Sequence, residues 1–205
     1  MPDLHTSSES LTLLLRTLRL PTFGQRFEDL ALVGERQGWS FDHYLYQLAE
    51  AEVEERRRRR VDRALKASDL PPEKTLATLE LNRFSTKVRR LLPNLCEGDF
   101  IHHAENVLAF GLPGRGKTHL VSAIGHELTQ RGFRVLFVPA FRIVQQLLAA
   151  KRDIKLDATL RKLDRFDVVI LDDIGYIQQD RDEMEVLFTF LAERYERRSV
   201  MVTSN

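Results

Sequence analysis

The sequence predicts an α/β fold, with a parallel sheet covered on both faces and a small all-α domain in front of it. Three observations carry this. The first hundred residues show helical periodicity, and from about residue 104 short apolar runs alternate with helical patterns. A glycine-rich loop, Gly111–Thr118, stands between the first of those runs and the helix that follows. Parallel strands can only be joined by crossovers, so strands that alternate with helices argue for a parallel sheet. The expected division is a helical domain over residues 1–100 and a phosphate-loop domain over residues 101–205.

Leu11, Leu14, Leu15 and Leu18 fall on one helix face, with Ser8 or Ser10 as a cap and Pro21 as the end. A second, short helix follows Thr22, with Phe23, Phe27, Leu30 and Ala31 inward and Gly34 and Gly38 at its end. A long helix begins after Ser40 on the stripe Phe41, Leu45, Leu48, Ala49 and Val53. It continues through Glu50, Glu52, Glu54 and Glu55 into Arg56–Arg60, and Pro71-Pro72 stops it. Residues 73–100 are less regular, with Pro93 and Gly98 as breaks. Strands are expected at Val107–Phe110, Val135–Val138, Val168–Leu171 and Val200–Thr203. Helices should run from the loop to about Gln130, over Phe141–Ala150 and over Met184–Arg194. A sequence that stops at Asn205, just after a strand, reads as an α/β domain truncated at its C-terminus.

Composition narrows the class. The 205 residues allow one large domain or two small ones at roughly 100–200 residues each. Hydrophobic content of 43% with 30% charged residues argues against disorder. A net charge of +1 does not mark a nucleic-acid binder by itself. The single cysteine, Cys96, cannot form an internal disulfide and fits a reducing cytoplasm. No local signature makes it a nucleophile, so a small buried residue is the better reading. The N-terminal leucines lack the flanks of a signal peptide, and no apolar run is long enough to span a bilayer. A cytoplasmic protein without a membrane partner is expected.

The chemistry lies in two stretches. Gly111, Leu112, Pro113, Gly114, Arg115, Gly116, Lys117 and Thr118 match the phosphate-binding pattern G-x-x-x-x-G-K-[ST], and His119 follows in the first helical turn. Glycines let the backbone N–H groups face an anion, and the helix N-terminus points at the same place. Lys117 is expected on the β- and γ-phosphates of a nucleotide and the Thr118 hydroxyl on Mg²⁺. The second stretch, Val168–Asp173, is an apolar strand whose carboxyl end delivers two acids to the crevice where such sheets bind ligands. Asp172 would hold Mg²⁺ through water, and Asp173 would orient the attacking water. Capping of the next helix is the plainer alternative for the pair. Asp172–Gly175 also fits the D-x-x-G of GTPases, but no guanine-specifying [NT]-K-x-D is present. Asn205, past the last strand, reads either as a residue near the γ-phosphate that positions water or as a plain turn asparagine.

The chain resembles the IstB-type insertion-sequence ATP-binding proteins, helper ATPases of transposition with an AAA+ core similar to DnaC-type helicase loaders and DnaA-type initiators. The matching stretches are Ala49–Glu54, Ala104–Val107 leading into the phosphate loop, Leu171–Tyr176, Glu193–Arg197 and Thr203–Asn205. The resemblance implies ATP and Mg²⁺ as ligands, Asp172 and Asp173 as the acidic pair and Asn205 as the sensor. It further implies an ATP-dependent homo-oligomer on double-stranded DNA that recruits or stimulates a transposase. A DnaC-like replicative helicase loader is the alternative, and a product that only binds is a third. Three departures stand out. Arg115 replaces a small residue, Asp173 replaces a more common Glu, and the region expected to carry an arginine finger lies beyond Asn205, so ATP hydrolysis is expected chiefly of a longer form. Seven basic residues between Arg56 and Lys66 face Asp62 alone. They read either as a solvated helix face or as a DNA-phosphate surface, with Arg57, Arg58 and Arg60 as the candidates.

Overall fold

A computed structural model describes residues 4–176 and 180–205. The chain divides into two compact units, Met1–Arg60 and Val61–Asn205. The helical unit is therefore shorter than the hundred residues expected from the sequence. Leu70, Leu79, Leu92, Cys96 and Phe100 share one core with Ile124, Leu128, Ile170 and Met201, so residues 61–100 pack as part of the α/β unit.

The first unit holds α1 (Leu4–Thr17), α2 (Pro21–Gln37) and most of α3 (Phe41–Ala67). Ser8 and Ser10 lie inside α1 and do not open it. Pro21 starts α2 as well as following α1, because its fixed φ and missing N–H suit the first helical position. At 17 residues α2 is not short. Gly38 ends it in the left-handed conformation at φ +66°, while Gly34 is buried under the Trp39 ring. The buried face of α3 is not the expected stripe: Phe41 is 94% exposed, and Leu45, Ala49 and Val53 also face solvent. Of that stripe Leu48 alone is buried, joined by Glu52, with Tyr44 half-buried. The reason is polar. Thr22 N–H at the start of α2 donates to Glu52 Oε2 at 2.8 Å, Arg56 Nε donates to Oε1 at 2.8 Å, and Tyr44 donates to the Phe27 carbonyl at 2.7 Å. A buried carboxylate that satisfies the orphan N–H groups of a helix start sets which face turns inward.

In the second unit, two 3₁₀ turns at Leu76–Thr78 and Leu81–Arg83 precede α4 (Thr86–Glu97) and the short α5 (Asp99–His102). Pro93 does not break α4, which runs through it and buries Leu92 and Cys96. Burial pushes the Cys96 thiol up to about 11, so it stays protonated and inert at neutral pH. Then follow β1 (Val107–Phe110), α6 (Lys117–Gln130), β2 (Val135–Pro139), α7 (Ala140–Arg152), α8 (Leu156–Leu163), β3 (Val168–Asp172), α9 (Arg181–Arg194) and β4 (Ser199–Ser204). The strands form a parallel sheet in the order β1-β4-β3-β2. Along β3, Val168 and Ile170 join the core under α6, while Val169 and Leu171 join the core under α7 to α9. That is the period-two division of a strand covered on both faces. At the opposite end of the sheet from its carboxyl edge, the buried Arg194 guanidinium donates to the carbonyls of Leu163, Phe166, Asp167 and Ser199 at 2.9–3.3 Å. Arg197 and Arg198 pair with Asp164 and Asp167 beside it.

The Glu52 anchor gives a test. Burial alone would raise its carboxyl pKa, but the Arg56 and Thr22 hydrogen bonds outweigh burial and the net shift is downward. Its stabilisation is therefore complete above the unfolded value of about 4.3 and is lost as pH falls through the lower folded value. Glu52→Gln is expected to destabilise the helical unit by about 1–3 kcal/mol at pH 7. The gap to the unmutated protein should narrow as pH falls below the unfolded value and through the lower folded one, as followed by circular-dichroism melts.

Candidate nucleotide-binding site

The site is assembled where β1, β3 and β4 end. Gly111 N–H donates to the Ser204 carbonyl at 3.3 Å, which continues the β1–β4 pairing into the loop. Gly114 and Gly116 take φ of +72° and +85°, and a Cβ on Gly116 would meet the Phe84 ring at 3.2 Å. The loop needs glycine there for conformation and for space. Arg83 steadies it from outside by donating to the Gly114 carbonyl at 3.0 Å. The N-terminus of α6 begins at Lys117, so its free N–H groups face the loop's hollow.

Lys117 Nζ donates to the carbonyls of Gly111 at 2.6 Å and Leu112 at 3.1 Å, and to Asn205 Oδ1 at 2.7 Å. Thr118 Oγ1 donates to Asp172 Oδ1 at 2.9 Å. The same carboxylate oxygen accepts from Thr203 Oγ1 at 2.7 Å, and Thr203 Oγ1 in turn accepts from the Asp173 N–H at 2.8 Å. Asp173 is held left-handed at φ +56°. Residues that lie far apart in sequence thus meet in one hydrogen-bonded group: Lys117 with Asn205, and Thr118 with Asp172 and Thr203. The oxygens of Thr118 and Asp172 are hard donors of the kind that bind Mg²⁺, half-buried beside the phosphate loop, so the residues present fit such an ion.

A cleft of about 390 Å³ is lined by Pro113–His119, Asp173, Asn205 and Lys74. An apolar cavity of about 610 Å³ adjoins the loop at Gly111 and Arg115, between α4, β1 and α6, with Phe84, Val88 and Leu95 in its wall. His119 faces the segment ahead of α4, with Nε2 3.1 Å from both the Thr75 carbonyl and Thr78 Oγ1. Arg115 is exposed.

The arginine run belongs to α3. Arg56 is tied to Glu52, and Arg58 and Arg59 share Glu55 at 2.7 and 2.8 Å. Arg57 and Arg60 are exposed and make no ion pair among the described residues. Sequence reasoning gave no separate role to Thr203, Arg83 or Lys74. The hydroxyl two residues before Asn205, on the strand beside β3, was the available signal for Thr203.

A parallel sheet with a phosphate loop after its first strand and an acidic pair at the end of the central strand defines an AAA+ type P-loop fold. The chain belongs to the family described as IstB-like ATP binding protein, which it matches over residues 13–205. It is 38% identical to a putative insertion sequence ATP-binding protein of Sinorhizobium fredii, over all of this chain and 70% of that one. It is 35% identical to an insertion sequence putative ATP-binding protein of Geobacillus stearothermophilus, over 92% of this chain and 75% of the other. Among solved structures it is similar to the replication initiator DnaA bound to AMPPCP and single-stranded DNA. There the TM-score is 0.58 and the identity 20%, over 67% of this chain and 44% of that one. The DnaC helicase loader gives a TM-score of 0.52 at 19% identity, over 70% and 79% of the two chains. At these identities the two structures speak for the fold alone. Among the described residues, no helix is long and apolar enough to cross a membrane.

Thr203 is fully buried, and its hydroxyl joins the Asp172 carboxylate to the Asp173 backbone N–H. Thr203→Val is expected to cost about 1–3 kcal/mol, since it strands the Asp173 N–H and removes a donor from Asp172. Thr203→Ser should recover most of the loss, as measured by urea unfolding.

Proposed function

We propose that this protein binds ATP with Mg²⁺ and acts as the ATP-dependent helper of an insertion sequence, assembling on double-stranded DNA and recruiting or stimulating a transposase. The observation that carries the nucleotide part is the convergence of Lys117, Thr118, Asp172 and Asn205 around the phosphate loop. Family membership and the names of the relatives carry the transposition part. Only a likeness of fold speaks for a helicase loader.

In this reading the loop N–H groups and the start of α6 receive the phosphates, and Lys117 turns from its carbonyl acceptors to them. Thr118 and Asp172 would hold Mg²⁺, Asp172 through water, and the ion would supply charge neutralisation for the phosphates. Asp173, in the cleft wall, orients the attacking water, and the Asn205 amide meets the γ-phosphate from the end of β4. The apolar cavity beside Phe84 takes the base. DNA is held by its phosphates, with Arg57 and Arg60 as the most available charges on α3 and Arg58 partly engaged by Glu55.

Lys117→Ala is expected to weaken ATP binding by more than about 2 kcal/mol in calorimetry. Asp173→Asn should keep affinity within a few-fold, about 1 kcal/mol or less, and slow turnover. Unchanged affinity in the first variant would overturn the site.

DNA binding with ATP, followed across a salt series, separates the arginines. Arg57→Ala and Arg60→Ala are each expected to weaken all sequences alike and to reduce the log–log salt slope by about one. Arg56→Ala should instead lower the melting temperature of the helical unit, because it removes the partner of a buried carboxylate.

A further inference from the structure

A second lysine lines the phosphate cleft. Lys74 lies in the segment between α3 and α4, and its neighbours around the cleft are the phosphate loop, Asp173 and Asn205. It is half-buried, and its ammonium makes no ion pair among the described residues. An ammonium in the wall of the phosphate cleft with no ion pair of its own is available to an anion bound there.

The segment that carries Lys74 is fastened to the helix that begins with Lys117. His126 Nε2 on α6 lies 3.0 Å from the Pro71 carbonyl, three residues before Lys74. His119 Nε2 lies 3.1 Å from the Thr75 carbonyl and from Thr78 Oγ1, just after it. Thr75 N–H donates to Thr78 Oγ1 at 3.1 Å, and Lys74 N–H donates to the Pro71 carbonyl at 3.1 Å. Both flanks of Lys74 are thus pinned to α6, which fixes its backbone relative to the loop. Two hollows adjoin the phosphate loop. The apolar cavity walled by Phe84 and α4 opens beside Gly111 and Arg115, whereas Asp173 and Asn205 mark the end where β3 and β4 stop. Lys74 lines the hollow that holds Asp173 and Asn205 and does not line the apolar one.

We propose that Lys74 is a nucleotide-binding residue that contacts the terminal phosphate of a nucleoside triphosphate, so that the site distinguishes triphosphate from diphosphate. This rests on the nucleotide reading above. It assigns the second cation of the site to the segment ahead of the sheet, apart from the phosphate-loop motif itself.

The test uses the full chain with Mg²⁺ and fluorescent ATP and ADP, titrated by anisotropy. Lys74→Ala and Lys74→Met are expected to weaken ATP about tenfold and ADP by less than about twofold, because one charge-assisted contact is lost only where a third phosphate exists. Lys74→Arg should hold the ATP preference, and Lys117→Ala should weaken both nucleotides. Melting temperatures identify any variant that fails to fold, and the Met and Arg variants, which keep the side-chain stem, carry the test if the Ala variant does. An equal loss for ATP and ADP, or no loss, overturns the role of Lys74 while leaving the nucleotide site standing. An unmutated chain that binds neither nucleotide overturns both.

Discussion

The burial of β3 on both faces is the constraint on which the site depends. Val168 to Leu171 are fully enclosed, between β2 and β4 within the sheet and between α6 and the α7–α9 layer across it. A strand held in this way cannot slip by one residue without exchanging the two cores, so its register is fixed. That register puts Asp172 beside Pro139 at the carboxyl edge, and β4 brings Thr203 within reach of it. The same edge receives the phosphate loop through the β1–β4 pairing. Apolar packing thus decides where the charges stand.

The α/β unit was legible in the sequence because its strands are short apolar runs set between strong helical patterns, and because the phosphate loop names its own neighbours. Each expected strand is found within about two residues of its predicted limits, the usual precision of such boundaries. The helix α8 was missed: it is short, follows a left-handed turn at Ile154, and shows only Leu156, Leu160 and Leu163 as its pattern. Pro93 misled because a proline inside a helix costs a hydrogen bond, yet here the packing of Leu92 and Cys96 holds the turn. In the site, the motif residues are apparent from spacing, whereas Arg83, Lys74 and the Thr203 bridge depend on chain folding that no local pattern encodes.

The helical unit was harder to read, for a reason visible in Glu52. In sequence it is one acid among several, and nothing marks it as buried. In the fold it receives the N-terminus of α2 and the Arg56 guanidinium, which rotates α3 and leaves Leu45 and Val53 facing solvent. The arginine run then ceases to be uniform. Arg56 is structural, Arg58 and Arg59 are shared with Glu55, and Arg57 and Arg60 remain open. The charge count of a helix is therefore a poor guide to the charge it offers a partner.

Lys117 already has three acceptors in hand, two of them loop carbonyls and the third the amide oxygen of Asn205. Ligand entry at this ammonium is consequently an exchange, in which old bonds are surrendered as new ones form, and only the difference appears as affinity. One of those three bonds links the lysine to the end of β4, alongside the Gly111–Ser204 backbone pairing. A nucleotide bound as proposed would therefore reach the end of β4 through the Asn205 amide, whereas the Gly111–Ser204 pairing is a matter of backbone alone.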